Sequence, residues 1–283
     1  MNHIHSFRSD VPDHQEDPWQ LKLFRRTLKK QQKLKSLLKL IGPLTDRDTC
    51  ILVTCGDNNG ALNWHFKAHG GSWSWADAEP ESSFQIGELT GDHVLTIDKE
   101  SPQFNVADQS FDVVVTIDIH EHLCATNELN QELARIVKEN GRIIVTTPGG
   151  DQRKLANKIK NWIGMSTRDY GHVVDGYTCD QLSAQLQSVN LTPVVKSSYS
   201  KFFTEMVELA INFAYVKVLA RRSAAPVEAG QIAPQSQDQL KSVEKTYRLY
   251  SLIYPFIWLI SRLDILLPFA EGYAAIVMAR KEA

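Results

Sequence analysis

The chain has 283 residues, of which 43% are hydrophobic, and a formal net charge of −2 at pH 7. This size allows one large α/β domain or two smaller ones, and the near-neutral charge gives no reason to expect nucleic acid as a partner. The four cysteines form no CxxC pair and no zinc-spaced cluster with histidine, so we expect reduced thiols in a cytoplasmic protein.

The N-terminal region is first polar and then strongly basic. Residues 1–17 contain three histidines and no apolar run, which predicts a disordered tail and not a signal peptide. Residues 18–43 predict a basic N-terminal helix, in which apolar residues recur at helical spacing among eight lysines and arginines. Gly42-Pro43 ends it. Such a helix can pack on a sheet or contact anionic lipid, and the pattern fits both.

Residues 44–200 predict an α/β domain in which strands and helices alternate. This alternation indicates crossover units and a mainly parallel sheet. The predicted strands are residues 50–55, 71–76, 93–97, 111–117, 141–147 and 191–197. The predicted helices are residues 61–69, 82–89, 127–139 and 177–190, the last with Thr178 as N-cap.

The C-terminal part predicts an apolar helical insertion at 201–270, followed by a final strand at 271–283. Within the insertion, residues 223–239 are rich in Ala, Pro, Gln and Ser, which predicts a flexible linker. The helices on either side of it are apolar nearly all round. They must therefore be buried as a lid or lie in a membrane interface.

A glycine-containing turn follows the first predicted strand, in the sequence Thr54-Cys55-Gly56-Asp57-Asn58-Asn59-Gly60. Glycine lets the backbone approach a nucleotide-like cofactor closely. Asn58 stands between the two glycines, and asparagine tolerates a left-handed backbone better than other residues with a side chain. Asp77 ends the second strand, where a carboxylate can accept both ribose hydroxyls, and Glu79 is the alternate.

Asp98 follows the third strand, and the fourth strand leads into Asp118-Ile119-His120-Glu121-His122-Leu123. A helix then ends at a glycine turn before a fifth strand that closes with Pro148. With the glycine turn, these features resemble the cofactor-binding half of a class I S-adenosylmethionine (SAM)-dependent methyltransferase of type 11. The resemblance covers roughly residues 48–148. Thr54 stands where that family has an acid, and Asn58 where it has a glycine.

The resemblance implies an α/β fold with a doubly wound, mainly parallel, seven-stranded Rossmann-like sheet, an antiparallel last strand and an inserted helical segment. It implies a transferase of class EC 2.1.1.- with SAM as cofactor. Asp98 would accept from the adenine amine, and the loop after Asp118 would lie beside the methionine part. The implied cofactor-binding residues are Thr54, Gly56, Asp57, Asn58, Gly60, Asp77, Asp98 and Asp118.

The sequence contains fewer signals for the methyl-acceptor site than for the cofactor site. Methyl transfer from a sulfonium depends mostly on positioning, and a base is needed only if the acceptor loses a proton. His172 and His120 are the candidate bases. The HExxH spacing is absent and neighbouring helical positions face different ways, so His120-Glu121-His122 predicts no metal site. The apolar insertion and the basic helix favour a small or lipid-linked acceptor, with peripheral membrane contact through 19–41 and 247–269.

Two other functions fit parts of the pattern. An NAD(P)-dependent oxidoreductase of Rossmann type also uses a glycine turn followed by an acid. The departures at Thr54 and Asn58 leave room for a non-catalytic, methyltransferase-like module. The segment from Asp118 to Leu123 and the strand after residue 270 favour methyl transfer over the oxidoreductase.

Overall fold

The computed structural model describes residues 17–56, 58–165, 171–214, 237–242 and 244–282. Nearly all of the predicted tail at 1–17, most of the predicted linker at 223–239, and Asp57 lie outside these ranges.

The described chain forms seven strands and ten α-helices around one sheet. The strands are β1 (Thr49–Thr54), β2 (Ser72–Asp77), β3 (Val94–Thr96), β4 (Phe111–Ile117), β5 (Val137–Pro148), β6 (Leu191–Tyr199) and β7 (Ala274–Lys281). The helices are α1 (Trp19–Phe24), α2 (Leu28–Ile41), α3 (Ala61–Ala68), α4 (Pro80–Thr90), α5 (Thr126–Ile136), α6 (Leu155–Trp162), α7 (Cys179–Gln187), α8 (Phe202–Phe213), α9 (Gln237–Ser242) and α10 (Glu244–Ser261). Short 3₁₀ turns also form at His120–His122 and Arg262–Leu266.

The sheet has the strand order β3-β2-β1-β4-β5-β7-β6. The first five strands in this order pair in parallel, and β7 inserts antiparallel between β5 and β6. The predicted doubly wound sheet with an antiparallel last strand is therefore confirmed. Each central strand is buried on both faces, so Ile51 and Val53 pack into one apolar layer while Cys50 and Leu52 pack into the other.

The helix predicted across the basic N-terminal region is interrupted. It forms α1 and α2, because Thr27 adopts an extended conformation with φ −108° and ψ 94°. The Thr27 hydroxyl donates to the carbonyl of Phe24 at 2.7 Å and so competes with the helical hydrogen-bond pattern. Farther along, the prediction that Thr178 caps a helix is confirmed, since Thr178 and Gln181 form a capping box at the start of α7.

The apolar helix α10 lies on the surface. Among the described residues, the stretch Glu244–Leu266 has the length and composition of a membrane span, and only 6% of it is buried. Its tyrosines face the protein: the Tyr247 hydroxyl donates to the Lys22 carbonyl at 3.2 Å, and the Tyr250 hydroxyl donates to the Arg26 carbonyl. Its opposite face is apolar and open, with Leu252 74% and Phe256 70% exposed.

The glycine that begins α3 is required by packing as well as by backbone conformation. Gly60 has φ +87°, and a Cβ there would lie 3.0 Å from the Gln85 carbonyl oxygen of α4. Gly91, which ends α4, has φ +72°, but a Cβ there would meet no described atom within 4 Å. The two glycines share a left-handed backbone and differ in steric contact.

Substituting each glycine separates these effects. Gly91→Ala should cost about 1–2 kcal/mol of unfolding free energy, the price of a left-handed alanine. Gly60→Ala should cost about 1–3 kcal/mol more, because its methyl group presses on the α4 backbone. Urea unfolding of both variants measures the difference in unfolding free energy. Equal losses would show that the α4 backbone moves aside for the new methyl group without loss of stability.

Candidate functional site

The site lies where the strand order reverses. β1 and β4 are neighbours in the sheet, yet the chain leaves β1 towards β2 on one side and β4 towards β5 on the other. Connections that diverge in this way leave a crevice at the carboxyl ends of the two strands. The parallel register aligns Thr54 with Asp77 on one side and with Ile117 on the other. The polar residues predicted at the strand ends therefore share one edge.

Asp77 braces the turn after β1. Its Oδ1 accepts the backbone N–H groups of Gly56 at 3.0 Å and of Glu79 at 2.8 Å. Its Oδ2 accepts a hydrogen bond from the hydroxyl of Thr54. The side chain is completely buried, and that burial raises the pKa of Asp77 to about 6, although these hydrogen bonds oppose the shift.

Asn58 closes the same turn from the inside. Its Nδ2 donates to the Thr54 hydroxyl at 3.2 Å and to Asn63 Oδ1 at 2.9 Å, and its Oδ1 accepts the Gly60 N–H at 3.0 Å. The two residues that depart from the methyltransferase pattern, Thr54 and Asn58, are thus bonded to each other. The Thr54 hydroxyl donates to Asp77 and accepts from Asn58, which a carboxylate at residue 54 could not do.

Glu79 lies over the turn that Asp77 braces. A Cβ on Gly56 would be 3.0 Å from Glu79 Cγ, so the glycine allows the acid to approach. Glu79 pairs with Lys99 and its side chain is 42% exposed, in contrast to the buried Asp77. Asp98 is also exposed, and its Oδ1 accepts the Glu100 N–H at 2.9 Å. Glu79 and Asp98 are therefore both more accessible than Asp77.

A lysine from the N-terminal region reaches the end of β4. Lys33 of α2 is buried and pairs with Oδ2 of Asp118, which has a left-handed backbone with φ +48°. Asp118 Oδ1 is buried and has no hydrogen-bond partner among the described residues. The sequence contained a signal for Lys33, because it shares a helix face with the fully buried Leu37 and Ile41.

The 3₁₀ turn after β4 directs its side chains to different places. His120 is fully buried and its Nε2 lies 2.9 Å from Asn130 Oδ1. Burial lowers the pKa of His120 to about 4. Glu121 is fully buried too, and burial, with the charge of Asp118 next, raises its pKa well above the usual range. His120 therefore packs the base of the turn, away from the crevice surface.

The chain beyond β5 returns to this turn. The Val173 N–H donates to the Glu121 carbonyl at 2.7 Å, and His122 Nδ1 lies 3.0 Å from the Gly171 carbonyl. The rings of His122 and His172 meet edge to face, with centroids 4.8 Å apart. Burial, followed by the nearby His122 and Lys160, lowers the pKa of His172 to about 3, so this imidazole is neutral at pH 7. Of the two predicted bases, His172 is the one that is not fully buried.

The raised pKa of Asp77 predicts a pH-dependent stability. Because the folded pKa exceeds the unfolded value, stability is greatest below about pH 4 and is lost as pH rises through about 6. At pH 7 this cost is about 3 kcal/mol for about two pKa units. Asp77→Asn keeps the size of the side chain and an oxygen for the Gly56 and Glu79 N–H groups, but its Nδ2 cannot accept from the Thr54 hydroxyl. It should therefore lower stability by an amount that does not depend on pH, and remove the pH-dependent contribution. Unfolding free energies of wild type and Asp77→Asn at pH 5 and 8 measure this pH dependence. Asp98→Asn, at an exposed acid, is the control. Wild type and Asp77→Asn with parallel pH profiles would refute the prediction.

Comparison with known proteins bears on this fold and crevice. Residues 76–145 match the family model of the methyltransferase domain. A search of curated protein sequences gave no significant match.

Solved structures share the fold at low sequence identity. A SAM-dependent methyltransferase from Thermotoga maritima is 12% identical, with a TM-score of 0.52 over 92% of this chain and 93% of that one. The phosphoethanolamine N-methyltransferase 2 of Haemonchus contortus, in complex with S-adenosyl-L-methionine, is 13% identical, with a TM-score of 0.52 over 89% of this chain and 52% of that one. The [4+2]-cyclase SpnF is 14% identical, with a TM-score of 0.54 over 89% and 82%. Residues 76–145 thus match a methyltransferase domain, and the described chain has the fold of class I methyltransferases, which confirms the resemblance found in the sequence.

Proposed function

We propose that this protein is a SAM-dependent methyltransferase, of class EC 2.1.1.-, that binds its cofactor in the crevice between β1 and β4. The braced glycine turn is the observation that carries the proposal. It sits at the switch point of the sheet, the place where open α/β sheets bind their ligands. SAM supplies an electrophilic methyl group, and the protein's task is to hold donor and acceptor in line.

The residues around the crevice fit such a cofactor. Gly56 and Gly60 have left-handed φ values of +71° and +87°, and a Cβ on either would press on Glu79 or on α4, so glycine is needed for the turn to keep its shape. Oδ1 of Asp118 is buried and has no hydrogen-bond partner among the described residues, so it suits the ammonium group of the methionine part. We assign the exposed Asp98 to the adenine amine. Asp57 belongs to the same turn but lies outside the described residues.

The ribose carboxylate is reassigned to the alternate residue. Asp77 was the first choice from sequence, but it is fully buried and both of its oxygens accept bonds from the turn. Glu79 is exposed and overlies Gly56. We assign Asp77, with Thr54 and Asn58, to holding the turn, and Glu79 to the ribose hydroxyls.

A lipid-linked acceptor is favoured by a surface groove lined by α2, the end of β6 and the end of α10. A groove of about 790 Å³ runs between α2 and α10, a size typical of small-molecule sites. Its walls carry apolar side chains, among them Leu34, Leu38 and Ile265, with Trp258 stacked under Arg262 at 5.4 Å. Such a groove suits the apolar part of an acceptor, and His172 would accept a proton if the acceptor atom carries one.

Peripheral membrane contact follows from how α10 is attached. Hydrogen bonds from Tyr247 and Tyr250 hold its inner face against α1 and the segment after it, so the helix lies along the protein. The open face then presents apolar side chains to a lipid interface. Of the basic residues of α2, Lys29 and Lys33 form ion pairs with Glu205 and Asp118, while Lys35 and Lys39 are exposed to meet anionic headgroups.

Cofactor binding is tested by calorimetry with S-adenosylhomocysteine, the demethylated product. Wild type should bind it, and Glu79→Ala should weaken binding about tenfold through the loss of hydrogen bonds to a charged acceptor. Glu88→Ala, an exposed acid on α4, is the matched control and should change nothing. Binding of NADH instead would support an oxidoreductase. Binding of neither would support a non-catalytic module.

Membrane contact is tested by flotation with anionic phosphatidylglycerol vesicles. Wild type should float with the vesicles, and the double variant Leu252→Asp/Phe256→Asp should lower the bound fraction at least about tenfold, because each side chain loses an apolar contact. Val194→Asp introduces one such charge at an exposed apolar position on β6 and should float as wild type does. Wild-type protein that stays in the unbound fraction would refute the contact.

A further inference from the structure

Three potential metal ligands converge at the end of β4. One ligand atom each of Glu121, His122 and His172 lies within 4.8 Å of the other two. Two imidazoles and one carboxylate form a donor set that suits divalent first-row transition ions. The sequence predicted no metal here because His120, Glu121 and His122 face different ways. His120 does point away, to Asn130, and the third ligand atom comes from a distant segment.

Glu121 is the strongest indication of a ligand. The residue is fully buried, and neither carboxylate oxygen has a hydrogen-bond partner among the described residues. A buried carboxylate is costly unless it is paired, hydrogen-bonded or coordinated to a metal. Asp118, the preceding acid in the chain, already pairs with Lys33.

His122 is oriented as a metal ligand would be. Its Nδ1 lies 3.0 Å from the carbonyl oxygen of Gly171. A carbonyl only accepts, so Nδ1 carries the proton and Nε2 carries the lone pair. Metal-binding histidines are commonly fixed in this way by a backbone carbonyl. The bond from the Val173 N–H to the Glu121 carbonyl holds the same two segments together.

We propose that Glu121, His122 and His172 bind one divalent first-row transition ion. Ligand atoms about 2.0–2.1 Å from a tetrahedral zinc ion lie about 3.3 Å from one another. Side-chain rotations that move each ligand atom by roughly 1 Å would bring the three atoms from within 4.8 Å to this separation. Three protein ligands leave a position for water or for an acceptor oxygen, as in catalytic zinc sites. With the ion bound, His172 is a ligand, so the proton-accepting role proposed for it above belongs to the metal-free protein.

The direct test is Zn²⁺ titration of the full chain by calorimetry after treatment with a chelator. One equivalent should bind per chain. His122→Ala and His172→Ala should each weaken binding more than about 100-fold, because even outer-shell partners are worth 10–100-fold. His93→Ala, an exposed histidine away from the cluster, should bind as wild type does. The double variant His3→Ala/His5→Ala should also retain binding, which excludes the closely spaced pair of N-terminal histidines.

A measurement on the wild type keeps the test independent of whether the variants fold. With Co²⁺ bound, paramagnetic NMR should show two shifted exchangeable imidazole N–H signals, one from each ligating histidine, and Zn²⁺ should displace them. The proposal is overturned by absence of Zn²⁺ binding, by unchanged binding in His122→Ala and His172→Ala, or by loss of binding in His3→Ala/His5→Ala. Retained S-adenosylhomocysteine binding by His172→Ala would show that the metal site fails separately from the cofactor site.

Discussion

The parallel pairing of β1 with β4 is the constraint on which the rest of the site depends. Neither strand precedes the other directly in the chain, so their pairing forces the two connections to leave in opposite directions. The crevice exists because of this divergence. The register then sets which residues meet there, since aligning Thr54 with both Asp77 and Ile117 brings the glycine turn, the β2 acid and Asp118 to one edge.

Side-chain hydrogen bonds hold the glycine turn in shape. Thr54, Asn58 and Asp77 form a connected buried network, in which the hydroxyl both donates and accepts. Buried polar groups are stable only when they are satisfied in this way. The substitutions at Thr54 and Asn58 are therefore complementary, because an acid at residue 54 would have met Asp77 as a second buried carboxylate. The ion pair of Lys33 with Asp118 extends the site to α2 and links the N-terminal region to the crevice.

Local patterns predicted most of the fold. The apolar β-branched runs located the strands, the antiparallel last strand was expected from the family resemblance, and Thr178 was recognised as an N-cap. Other features depend on contacts between distant segments, which periodicity does not report. Examples are the break at Thr27, the burial of Asp77 beneath its own turn, and the meeting of His172 with His122. For Lys33, the helical spacing predicts that it shares a buried face with Leu37 and Ile41, but it does not predict the ion pair with Asp118.

Photocrosslinking with radiolabelled SAM tests the central claim most directly, because it reports where the cofactor sits. Irradiation of the full chain, followed by proteolysis and peptide mapping, should place the label in the peptides that contain residues 54–60 and 118–123, and excess S-adenosylhomocysteine should prevent labelling. Label confined to peptides outside the crevice between β1 and β4, or labelling that resists competition, would contradict the account.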